Sequence, residues 1–181
     1  MKTGIFTPKE ALTEHQTSPK LANALLDVLP MNKPVIDFGC GRGEYLANLE
    51  KYRYKVEGYE GQPLADSPKF IKKADITIPI ETKFKGSVLC LEVMEHIPSE
   101  LTEVAMSNLI NACTGRLILS WAIKGQGGCG HVNEQDSDYV VPLIESKGFK
   151  YNVGIGSMLR SVAGRELWWF KNSIYVFDKT K

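Results

Sequence analysis

VIDFGCGRGEYL, residues 35–46, sets Gly39, Gly41 and Gly43 within five positions. Val35 and Ile36 before them are strand formers, and Glu44, Tyr45 and Leu46 after them open a run with helical spacing. A glycine loop between strand and helix serves a backbone that must take positive φ, or one that a ligand approaches with no Cβ in the way. By itself such a loop carries little information. Its meaning depends on what stands at the ends of the neighbouring strands.

Reading outward, Ser18-Pro19 looks like a helix N-cap with proline at the first helical position. Leu21, Ala22, Leu25, Leu26 and Leu29 recur at helical spacing until Pro30. PVIDFG (34–39) reads as a strand, GEYLANLEKYR (43–53) as a helix and YKVEGYE (54–60) as a strand ending in an acid. ADITIPI (74–80) is short and β-branched, and GSVLCLE (86–92) is apolar throughout, as in a strand buried on both faces. Residues 99–113 form the clearest helix, with Gly115 as its C-cap signal, and RLILSW (116–121) is a further buried strand. DYVVPLIESKGF (138–149) fits a helix interrupted or started at Pro142, and NSIYVFD (172–178) alternates as a strand. This alternation predicts an α/β fold with a mostly parallel sheet covered by helices on both faces.

The chain has 181 residues, which suits one domain over 1–181, with residues 1–30 as an N-terminal arm and helix that could close over a ligand. A net charge of +1 gives no global field toward nucleic acid or an anionic membrane. The cysteines at 40, 90, 113 and 129 form no CxxC pair and read as reduced thiols in a cytoplasmic setting. The beginning MKTGIFTPKEALTEH is too polar for a signal peptide, and no stretch approaches the roughly 18 apolar residues of a membrane span.

Four acids then fall into register. Asp37 ends the first strand, Glu60 ends the second 23 positions later, Asp75 lies at the next strand's edge, and Glu92 closes the fourth. An acid after a strand usually caps a helix or sits in a solvated loop, which explains one such residue better than four. The set resembles class I S-adenosylmethionine-dependent methyltransferases over roughly residues 33–121. The resemblance implies a Rossmann-like, doubly wound seven-stranded sheet with an antiparallel last strand, and S-adenosylmethionine as cofactor. It implies that the loop of Asp37, Gly39, Cys40, Gly41 and Gly43 wraps the methionine part, and that Glu60 with Gly61 holds the ribose. By the same resemblance Asp75 and Ile76 meet adenine, and Glu92 and Val93 line the cofactor cleft. A nicotinamide dinucleotide is disfavoured, because GxGxG differs from the GxGxxG fingerprint.

Acceptor chemistry is expected after strands four and five. SWAIKGQGGCGHVNEQ (120–135) holds four glycines in six positions, followed by His131 and Asn133. As a solvent loop, its histidine would cap the next helix. As part of a site, His131 would act as base or substrate ligand, with Trp121 and Asn133 beside the acceptor. Glu92, Glu95 and His96 fall at i, i+3 and i+4, and with His131 they form an alternative set for a divalent cation. That pattern is similar to the ExxEH…H arrangement of small-RNA 3′-end 2′-O-methyltransferases. Family members without metal use the same string to brace the loop, so the expectation is no metal. The leading expectation is methyl transfer to an oxygen of a small molecule or sugar. The alternatives are an RNA 2′-O-methyltransferase-like activity, another use of S-adenosylmethionine without methyl transfer, and a non-catalytic cofactor-binding module.

Overall fold

The computed structural model describes residues 15–180; residues 1–14, most of the expected arm, lie outside the described residues. The strands are β1 (Val35–Phe38), β2 (Val56–Glu60), β3 (Ile71–Lys73), β4 (Gly86–Cys90), β5 (Cys113–Ser120), β6 (Phe149–Tyr151) and β7 (Ile174–Lys179). They form one seven-stranded sheet in the order β3-β2-β1-β4-β5-β7-β6, parallel except that β7 runs antiparallel to β5 and β6. The helices are α1 (Pro19–Val28), α2 (Glu44–Lys51), α3 (Thr102–Ala112), α4 (Ser137–Glu145), α5 (Val153–Ala163) and the single turn α6 (Phe170–Ser173).

Alternation along each strand divides the core between two faces. Ile36, Val88, Leu117 and Leu119 point toward α3 and α4, while Val35, Leu89, Ile118 and Val176 meet α1, α2 and α5. β1 and β4 are buried along their whole length, which explains their continuous apolar sequences. Chain order runs outward from β1 in both directions, so the switch point lies between β1 and β4. Ligands of doubly wound sheets bind there, outside the carboxyl ends of the strands. Among the described residues, no helix is long and apolar enough to cross a membrane.

Several local expectations change. Residues 74–80 are not a strand: β3 lies earlier, in a lysine-bearing edge segment suited to solvent. In 74–80 Asp75 folds back on Thr77, and Asn108 of α3 bonds Ile76, Ile78 and Ile80. Those backbone groups are satisfied by a side chain instead of a neighbouring strand. α3 needs no glycine cap, because Cys113 turns extended at φ −89° and ψ 115° and starts β5 directly. The helix read through Phe149 stops at Glu145, and Phe149 begins β6. The sequence reading placed no element over 153–163, where Gly154 and Gly156 weaken the helical signal that α5 obeys.

Candidate functional site

β1 delivers Asp37 to the edge of the sheet, and the chain then turns through Gly39, Gly41 and Gly43 with φ of 74°, 55° and 75°. At Gly39 a Cβ would lie 2.3 Å from Val93 Cγ2, and at Gly41 one would lie 2.9 Å from His15 Nδ1. Glycine is needed here both for the left-handed conformation and for close packing. Glu60, ending β2, accepts from the Gly41 amide at 2.9 Å and from the Gln62 amide at 3.0 Å. Asp75 accepts from the Thr77 amide at 2.8 Å and its hydroxyl at 2.6 Å.

Glu92 follows β4 in the left-handed region, at φ 57°, which is uncommon for a side chain of this size. Ser120, the last residue of β5, holds it: the Glu92 amide donates to Ser120 Oγ at 2.5 Å, and that hydroxyl donates to Glu92 Oε1 at 2.8 Å.

These residues surround two adjoining cavities at the switch point. The larger, about 310 Å³, is lined by Asp37, the glycine loop, Glu92, Gln126–Cys129, His131 and Trp168–Phe170. The smaller is lined by Glu60, Gly61, Asp75, Ile76 and Val93 among others. His15, Gly39, Glu92 and His96 line both. Of the residues expected to bind the cofactor, all but Gly43, which packs against Ile71 and Phe70, border one or both cavities. His15 and Thr17 of the N-terminal segment also face the larger one, where Thr17 donates to Glu44 at 2.5 Å. Ser18 is instead a buried cap, accepting from the Leu21 amide at 3.0 Å.

Burial, reinforced by Glu60, raises the Asp37 carboxyl to about 8. Burial raises Glu92 to about 7 against hydrogen bonds that favour its charge, and burial with Glu92 nearby pushes Glu95 well above the carboxyl range. Burial lowers His96 to about 4. A cleft of desolvated, crowded carboxyls gains most from a cationic ligand.

At the wall of the larger cavity His131 Nδ1 lies 2.9 Å from Glu134 Oε1, and the His96 and His131 rings meet edge to face at 5.0 Å. Glu95, His96 and His131 each bring one ligand-capable atom within 4.8 Å of the others; Glu92, fourth in the alternative cation set, is not in that group. Among the described residues, no N–H or hydroxyl group donates to fully buried Glu95, whose carboxyl faces that of Glu92.

Two expectations for the acceptor side are corrected. Trp121 is fully buried and donates to the Asn133 carbonyl at 2.6 Å. Asn133, also buried, donates to Ile97 O and Thr102 Oγ1, each at 3.0 Å. Both belong to the core beneath the cleft and border neither cavity. Trp168 is 61% exposed at the mouth. Arg160 donates to Ile174 O at 2.7 Å and to the Tyr151 hydroxyl at 3.2 Å.

The reading of the sequence missed Asn108, Ser120 and Glu134. Only Glu134 carries a signal, an acid three residues past a histidine that closes a glycine loop.

Residues 13–120 match the family model described as a methyltransferase domain. No curated protein matches the sequence. The fold resembles a TehB-like SAM-dependent methyltransferase from Corynebacterium glutamicum, at 17% identity over 96% of this chain and 94% of that one, with a TM-score of 0.67. It also resembles magnesium protoporphyrin IX methyltransferase from Synechocystis with bound SAM, at 19% identity over 95% and 89%, with a TM-score of 0.64. The sugar N-methyltransferase KedS8 from Streptoalloteichus aligns at 13% identity over 89% and 85%, with a TM-score of 0.64. With the family model spanning more than half its length and the strand-end acids bordering the cleft, the chain belongs to the methyltransferase-domain family, among the class I S-adenosylmethionine-dependent methyltransferases.

Proposed function

We propose that this chain transfers the methyl group of S-adenosylmethionine to an oxygen of a small hydroxylated molecule or sugar. The observation that carries this reading is that Asp37, Glu60, Asp75 and Glu92, from four successive strand ends, border one pair of adjoining cavities. The donor chemistry is a methyl on cationic sulfur, open to in-line displacement. The fit to that donor rests on the buried carboxyls, which favour positive charge, and on the glycine loop, whose close backbone leaves no Cβ in the path.

Asp37 faces the methionine end, and Glu60 presents a carboxylate toward ribose hydroxyls while fastening the loop. Asp75 and Ile76 border the adenine side. Gln126–Cys129, His131 and the Trp168–Phe170 turn then wall the acceptor side. A hydroxyl is a poor nucleophile until its proton is drawn away, which suits an imidazole held in place at that wall. The sugar N-methyltransferase among the structural neighbours supports a sugar-sized acceptor and is neutral on the choice of oxygen.

Calorimetry with S-adenosylhomocysteine, followed by transfer of labelled methyl to hydroxylated small molecules, tests the reading. His131→Ala should lower turnover roughly 100-fold and leave S-adenosylhomocysteine affinity nearly unchanged. Absence of binding by the wild-type chain would overturn the cofactor assignment; binding of the donor without S-adenosylhomocysteine product would point to another use of it.

A second reading adds a divalent cation, favoured by the buried Glu95 carboxyl beside His96 and His131. Such an ion would supply Lewis-acid activation of an acceptor hydroxyl. Chelator-treated protein should then bind one equivalent of Mn²⁺, and Glu95→Gln should abolish that binding. Failure of the wild-type chain to bind the ion removes this reading and leaves the first intact.

A further inference from the structure

Glu134 gathers three hydrogen bonds on one carboxylate. Oε2 accepts from the Gly125 amide at 2.8 Å, and Oε1 accepts from the Gly127 amide at 2.7 Å and faces His131 Nδ1 at 2.9 Å. Burial works against its charge, but the bonds from His131, Gly125 and Gly127 outweigh it and hold the carboxyl below its usual range.

Both oxygens already serve as acceptors toward backbone amides. The proton of the remaining contact therefore belongs to His131 Nδ1, and in the neutral imidazole the lone pair is then on Nε2. Gly125 and Gly127 have φ of 81° and 71°, with open space where a Cβ would stand, so these two glycines meet a conformational demand and not a packing one. At Gly128 the demand is space: a Cβ there would lie 2.3 Å from His131 Nε2. The loop backbone thus passes close over the imidazole nitrogen that bears the lone pair, while Glu134 ties the loop and the opposite nitrogen to one anchor.

We propose that Glu134 is a positioning residue of the acceptor site, fixing His131 as the Nδ1–H tautomer and locking loop 125–130 around its Nε2. The proposal rests on the reading of His131 as the acceptor-side group. Its function is the same whether that Nε2 takes a proton or a cation, because both need a bare lone pair. A carboxylate does this where a neutral amide cannot: glutamine offers one acceptor oxygen, and its NH₂ would oppose a backbone N–H.

The test is long-range ¹⁵N–¹H correlation NMR of the full chain, with His131→Ala identifying the signal among the three histidines. Wild type should show a protonated Nδ1 and an unprotonated Nε2. Glu134→Gln should shift the population to the Nε2–H tautomer, move the Gly125 and Gly127 amide resonances, and lower turnover at least tenfold. S-adenosylhomocysteine affinity should stay within about threefold. Glu134→Asp should recover part of the Nδ1–H population and of the turnover.

A wild-type Nε2–H tautomer, or a Glu134→Gln protein with unchanged tautomer and turnover, overturns the proposal. Gly128→Ala provides a second variant that keeps the Glu134 contact: it should preserve the tautomer while its methyl crowds Nε2 and lowers turnover, and unchanged turnover there counts against the inference. Loss of S-adenosylhomocysteine binding in the wild type would instead be a failure of the cofactor reading, and the tautomer measurement stands without it.

Discussion

Glu60 accepts a hydrogen bond from the backbone amide of Gly41 at 2.9 Å, so the acid at the tip of β2 also fastens the glycine loop that follows β1. The proposed ribose ligand and the order of the loop would therefore depend on one side chain. Glu60→Ala removes the carboxylate and frees the Gly41 and Gln62 amides together. The expected cost to S-adenosylhomocysteine binding is about 1–3 kcal/mol, the range for charged hydrogen bonds left unmade. Calorimetry reads it directly, and unchanged affinity removes Glu60 from the ribose role.

Asp37 predicts a pH dependence. Its folded-state value of about 8 lies above the ordinary 3.8, because burial and then Glu60 disfavour the charge. Below pH 3.8 both folded and unfolded chains hold this proton. Between 3.8 and about 8 only the folded chain does, so the Asp37 contribution to stability falls as pH rises and is fully lost above that window. Asp37→Asn cannot titrate, and its melting temperature relative to wild type should climb from pH 4 to pH 9. A constant difference across that range would contradict the buried, protonated carboxyl.

The same titration predicts proton release on binding a cation. At pH 7 most Asp37 is protonated, and a positively charged ligand beside it favours the carboxylate. Binding of S-adenosylmethionine, followed in buffers of different ionisation enthalpy, should release a proton that Asp37→Asn does not release. Equal release by both proteins would place the cationic end of the ligand elsewhere.

What was legible in the sequence was whatever repeats with a period or punctuates it. The buried strands β1, β4 and β5 show as apolar runs, and the strand-end acids show because the sheet places them at equivalent positions. Asp75 was found although the strand assigned to it was not, since an acid two residues beyond β3 occupies the same place at the cleft. Roles that depend on distant pairing left little trace. Asn108 reads as one more buried position on α3, and only the fold brings it to the 74–80 loop. Trp121 and Asn133 follow β5 in sequence as cleft residues would, yet the strand's inward alternation carries the indole to the core, and Asn133 caps it there.

Asn108 braces the 74–80 loop through an oxygen that accepts from the Ile80 amide and an NH₂ that donates to Ile76 O and Ile78 O, each at 2.8 Å. Asn108→Leu leaves three backbone groups unsatisfied, at about 1–3 kcal/mol for each that stays buried. Denaturant unfolding should show a loss within that scale, and S-adenosylhomocysteine affinity should fall because the loop bearing Asp75 loosens. Asn108→Asp keeps the bond to Ile80 but opposes two carbonyls with an acceptor, so it should be no better than leucine. Full binding by Asn108→Leu would show that the loop stands without this brace.

Gly39 separates the two demands placed on the loop. A Cβ at this position meets Val93 Cγ2 at 2.3 Å, and the φ of 74° strains any L side chain. Gly39→Ala should therefore lower stability and abolish measurable S-adenosylhomocysteine binding, by pushing apart the tips of β1 and β4. Val93→Ala removes the clashing methyls and leaves the dihedral strain of about 1–3 kcal/mol in place. The double variant should regain part of the lost stability and a detectable affinity, while Val93→Ala alone binds close to wild type. Full recovery in the double variant would make contact with Val93 the whole reason for glycine at this position. No recovery would assign that reason to the backbone conformation alone.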